Sequence, residues 1–203
     1  MRIGEALSAR THRIVSIAAV AAYVVAAAAL VGLVTITLFF SIGDPWGTIN
    51  DYSGVVMTLA LAPMMLAYYE LGGRTPTPLA QAAQVAGWIG VLTWCVAHTL
   101  NIADVVRFDY GASATGVMAV EMVGLVVIGL WIAGANLLAG PWLSRVRWLG
   151  VVTGTGFALL GLGLLLGGQN HPLSYAGGIG YELVLPIWAF LMARSLARIA
   201  ATR

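Results

Sequence analysis

The chain has 203 residues, 60% of them hydrophobic and only 9% charged, with a formal charge of +2. A soluble domain carries roughly 25% charged residues, so this chain cannot surround itself with a solvated surface. Long apolar runs make it an all-α, polytopic membrane protein instead, and a chain this apolar offers no basis for binding nucleic acid. Every basic residue other than His is Arg. Together with the abundance of Ala, Gly and Val, this suggests a GC-rich bacterial genome and so a bacterial plasma membrane. The one cysteine, Cys95, lies in an apolar run, which rules out an intrachain disulfide and suits a small packing residue.

The first apolar run covers residues 14–42. Behind Arg2, Arg10 and Arg13 it imitates a signal peptide, but the apolar core of such a peptide is only about 7–15 residues long. It is expected to be an uncleaved first span, roughly 40 Å long against a hydrocarbon core of ~30 Å. The turn-rich stretch GDPWGTIND follows, and Asn50, Asp51 or Ser53 is expected to cap a second span over 52–71. Pro63 falls inside that span and predicts a kink. At its end Glu70 and Arg74 are four apart and suited to pair.

A third span is expected over 82–103 and a fourth over 115–138. Trp142 and Trp148 then flank Arg145 and Arg147 as expected interface anchors. The fifth span, 148–167, holds two G-x-x-x-G pairs, Gly150 with Gly154 and Gly163 with Gly167. Such pairs let helix backbones approach closely. They predict either a docking face for a second copy or another membrane protein, or packing within the chain's own bundle. The segment GQNHPLSYAGG reads as a loop, and a sixth span covers 179–200 with Pro186 inside it. No convincing repeat relates the two halves, so the inverted-repeat signature of a transporter is missing.

Six spans place both termini on one side. That side gathers Arg2, Arg10, Arg13, Arg74, Arg145, Arg147, Arg194, Arg198 and Arg203, against Arg107 alone on the other. The positive-inside rule assigns the arginine-rich side, with both termini, to the cytoplasm.

With that orientation the ionisable groups fall into one layer near the outer ends of the spans. In WCVAHTLNIADVVR, residues 94–107, His98, Asn101 and Asp104 recur at intervals of three and so share one helical face. Glu121 and Glu182 enter at similar depth from the fourth and sixth spans, within about one helical turn. Polar groups inside a bilayer are costly and usually face the protein interior or a wet cavity. His98, Asn101, Glu121 and Glu182 are therefore expected to converge in an outward-facing pocket, with the two carboxylates coupled. A continuous pathway would need polar groups through the whole thickness, and the inner half has almost none.

Three uses fit such a layer. A His with two carboxylates can hold a divalent metal in a metal-dependent membrane enzyme. A desolvated Glu can give or take a proton. The layer can also bind the polar head of a small amphipathic, lipid-like molecule whose tail lies among the helices, and this is the leading expectation. Two structural alternatives stand beside these: Glu121 simply pairing with His98 or Arg107, and a scaffold subunit docking through the fifth span. Metal binding has the least support, because H-x-x-E-H, H-E-x-x-H and E-x-x-H are all absent. No P-loop and no G-x-S-x-G nucleophile motif occurs, and the three histidines are poorly placed for axial haem ligation.

The orientation has a direct test. In a Cys95→Ala background, a cysteine at Thr48 reacts with an impermeant thiol reagent on intact cells and one at Thr77 does not. The reverse pattern overturns the assignment of sides.

Overall fold

The computed structural model describes residues 8–43, 45–72, 77–144 and 146–201, leaving aside the side chain of Pro141. The described residues are helical with no strands, and six helices are long and apolar enough to cross a membrane, as in a multi-pass membrane protein. Helix α1 is Ala9–Ile42, α2 is Trp46–Leu71, α3 is Pro78–Ile102, α4 is Gly116–Leu138 and α5 is Arg147–Gly167. The sixth crossing is composite: α6, Pro172–Gly178, passes through a π-helical turn, Ile179–Val184, into α7, Leu185–Ala201. Short 3-10 turns, Pro141–Leu143 and Gly168–Asn170, precede α5 and α6.

Several boundaries differ from the sequence reading for local reasons. Ser8 accepts the Thr11 amide at 3.1 Å and starts α1 well before residue 14. Thr77 caps α3 in the same way, with Pro78 at the first helical position. Helix α2 begins directly after Pro45, so Asn50, Asp51 and Ser53 lie inside it and do not cap it. The α2 helix also runs unbroken through Pro63. Residues 172–178 form a helix where a loop was expected, because the His171 ring accepts the Leu173 amide and Pro172 occupies the first helical position. Pro186 offers no N–H to the carbonyl four residues back, which accounts for the π turn just before it.

The spans form a closed ring. Each packs on its neighbour in sequence, and α7 returns to α1. Met57, Leu61, Met64, Ile128, Phe157, Trp188 and Met192 are buried in the bundle core. At the end bearing the termini, Arg10 pairs with Glu70 at 3.3 Å and the His12 ring hydrogen-bonds the Ala200 carbonyl at 2.9 Å. The expected Glu70–Arg74 pair involves a residue outside those described. Trp148 is exposed as an anchor would be, whereas Trp142 turns inward onto Tyr68 with ring centroids 5.3 Å apart.

Helix α5 is clamped between two neighbours. A Cβ on Gly154 would strike the Ala133 amide and stand 2.5 Å from the Gly129 carbonyl of α4. On the other side a Cβ on Gly156 would meet the Gly180 Cα at 2.6 Å. Gly150 abuts the Asn136 side chain, Gly163 abuts Ser174, and Gly167 lies against His171. The close approaches that these glycines allow are thus made within the chain.

Gly154→Leu forces a large side chain between two backbones. Overpacking of this kind costs about 1–3 kcal/mol. A clear drop in melting temperature in detergent is expected, and wild-type melting would contradict the α4–α5 packing.

Candidate functional site

The polar cluster lies at the end of the bundle opposite the termini, on α2, α3 and α4. His98 is in the last turns of α3 and Glu121 in the second turn of α4. His98 Nδ1 lies 2.6 Å from Glu121 Oε1, and both side chains are buried. Asn101, three residues along α3, donates to Asp51 Oδ2 at 2.7 Å. Asp51 Oδ1 in turn lies 4.0 Å from His98 Nε2, too far for a hydrogen bond.

The Trp94 indole N–H, one turn below, lies 3.0 Å from His98 Nδ1 and 3.1 Å from Nε2. It cannot serve both nitrogens, and Nδ1 cannot both donate to Glu121 and accept from Trp94. Placing the proton on Nδ1 satisfies the whole set: Nδ1–H donates to Glu121 and Nε2 accepts from Trp94. The tautomer is thus assigned from the network. One acceptor is left over, since Glu121 Oε2 is buried and has no hydrogen-bond partner among the described residues.

Gly54 of α2 makes room for this arrangement. A Cβ there would stand 3.0 Å from both Cδ2 and Nε2 of His98. Gly54 also lies on the wall of a small cavity between α1, α2 and the π turn, with Ala29, Gly32, Ser53 and Tyr181 among its lining. Its volume is about 10 Å³, on the order of one water molecule. Glu182 faces this cavity and makes no hydrogen bond or ion pair with a described residue. So His98, Asn101 and Glu121 come together through Asp51, and Glu182 stands apart behind Gly54.

Aromatic rings surround the cluster. Trp94, Phe157 and Tyr181 pack together with centroids 4.8 to 6.1 Å apart. Phe108 covers the imidazole from the loop side at 6.1 Å, and Tyr110 packs edge-on against Phe108. The 103–115 loop that carries them is stitched to the facing connection. Gln169 donates its amide to the Tyr110 carbonyl at 2.7 Å, and Ala114 donates to the Leu164 carbonyl at 2.9 Å. Burial pushes the Tyr110 phenol well above its ordinary value.

Asp104 does not continue the face of His98 and Asn101, because α3 ends at Ile102. With φ at 56° Asp104 turns the chain, and its carboxylate accepts from Arg107 at 2.9 and 3.2 Å. The Arg107 hydrogen bonds and charge hold the Asp104 carboxyl below the usual carboxylate range. This exposed pair leaves His98 as the partner of Glu121.

The residue that the sequence reading passed over is Asp51, which it placed at the interface as a capping candidate. The signal was present in Pro45, whose fixed φ suits the start of a helix and would have carried Asp51 into the second turn. Among the described residues no three His, Cys, Asp or Glu side chains are grouped so as to hold a metal ion. The chain matches no protein-family model, no curated protein and no solved structure.

Leaving a buried polar group without its hydrogen-bond partner typically costs about 1–3 kcal/mol. Glu121→Ala is therefore expected to lower the melting temperature strongly, while Arg107→Gln, at the exposed pair, leaves it unchanged. Equal effects would mean that the His98–Glu121 contact does not hold the helices together.

Proposed function

We propose that the protein is a membrane-embedded binding protein of the bacterial plasma membrane, with both termini in the cytoplasm. Its outer-half cluster of Asp51, His98, Asn101 and Glu121 takes the polar head of a small amphipathic molecule. The observation that carries this reading is Glu121 Oε2, a buried acceptor with no donor among the described residues. An unsatisfied buried oxygen costs free energy until a donor reaches it, so a ligand that brings an N–H or O–H is favoured there.

The unpartnered acceptor selects the kind of head. Glu121 Oε2 calls for a group that brings hydrogen-bond donors. A protonated amine supplies a positive charge and up to three donors. The rings of Phe108, Trp94 and Tyr181 add faces that attract a cation. The site is covered by Phe108, so binding requires the 103–115 loop to move outward, and the apolar tail then lies between helices. Glu182 places a second carboxyl group on the α1 side.

Dodecylamine and dodecanoate have the same tail and opposite heads. At neutral pH in detergent, dodecylamine is expected to raise the melting temperature of the wild type and dodecanoate is not. Glu121→Gln keeps the shape and removes the charge, and should abolish the difference. Equal shifts with both amphiphiles, or a shift that survives Glu121→Gln, would sink the proposal.

A further inference from the structure

A groove of about 480 Å³ runs along the N-terminal half of α1 and shares no lining residue with the His98 cluster. It is lined by Ser16, Ile17, Val20, Ala21 and Val24 of α1 and by Ala60 of α2. Small residues make it concave, between larger aliphatic side chains. Its single hydroxyl is turned away, since Ser16 donates to the His12 carbonyl of its own helix at 2.9 Å. The groove therefore presents hydrocarbon alone.

Arg13 lies about one helical turn beyond the groove's Ile17 end. Arg13, Ile17, Val20 and Val24 follow at steps of four, three and four, which places them in one stripe of the helix. The neighbouring basic groups are engaged: Arg10 by Glu70 at 3.3 Å, and His12 by the Ala200 carbonyl at 2.9 Å. Arg13 is exposed and forms no ion pair among the described residues. Eleven residues separate Arg13 from Val24, about 16 Å of helix, which is half of a ~30 Å hydrocarbon core. The stripe thus offers one cation at the level of headgroups and an apolar channel one leaflet deep.

We infer that this groove is a binding site for an anionic phospholipid, with one acyl chain along Ile17, Val20 and Val24 and the phosphate at Arg13. An arginine guanidinium matches a phosphate in shape and charge, and a zwitterionic lipid gives it less net attraction. The site stands independently of any ligand at Glu121.

The full chain in detergent, mixed with equal amounts of dioleoyl-phosphatidylglycerol and dioleoyl-phosphatidylcholine, tests this by native mass spectrometry. Phosphatidylglycerol is expected to be retained about fivefold over phosphatidylcholine, the factor one basic residue near an anionic headgroup provides. Arg13→Gln should bring that ratio to about one while lipid is still carried. Val20→Trp, which fills the groove from an exposed position, should reduce retention of both lipids. Arg198→Gln should keep the wild-type preference. A wild type without preference, an Arg13→Gln variant that keeps it, a Val20→Trp variant with undiminished retention, or loss of the preference in Arg198→Gln would each overturn the assignment.

Discussion

The His98–Glu121 contact is the interaction on which the polar end of the bundle depends. At 2.6 Å it ties α3 to α4, whose other polar link is the Trp131 indole N–H donating to the Gln84 side-chain oxygen at 3.2 Å towards the opposite end. Neither His98 nor Glu121 could be buried alone at tolerable cost, so each justifies the other's position. Its direction also assigns the imidazole proton, and that assignment decides what Trp94 can do. Asp51 and Asn101 then lock α2 to α3 one turn further along. Three helices are thus held in register by one connected set of side chains.

Such a set needs precise backbone placement, and glycine supplies it at two levels. Gly54 lets α2 approach the imidazole face, where a Cβ would stand 3.0 Å from the ring and require it to give way. Gly129, Gly154, Gly156 and Gly180 let α4, α5 and the π turn stack almost backbone to backbone. Close packing of this kind replaces the hydrophobic drive that helices lack inside lipid. It also consumes the small-residue faces of α5, so the features that advertise a docking surface in the sequence are spent on internal cohesion.

The two ends of the molecule present different groups. At the His98 end a buried acceptor, the second oxygen of Glu121, has no partner among the described residues. At the arginine-rich end the exposed Arg13 stands on the same helical stripe as a channel of hydrocarbon. The two proposals therefore call for unlike heads, a cationic one at Glu121 and an anionic one at Arg13. The exposed Asp104–Arg107 pair contributes to neither, because water already satisfies both charges.

The class and the number of spans follow from local composition, since twenty apolar residues in a row have one economical conformation in lipid. The shared layer of His98, Asn101 and Glu121 was legible for the same reason: helical rise converts residue number into depth. Depth alone does not give azimuth. Whether Glu182 faces the imidazole or lies behind Gly54 depends on the rotation of the sixth crossing, and the π turn changes that rotation in a way no 3.6-residue count contains. Asp51 was hidden by a boundary shift of about six residues, and the partner of Glu121 by a choice between His98 inside the third span and Arg107 in the loop beyond it. Those choices are made by packing between helices, where contacts distant in sequence decide which faces meet.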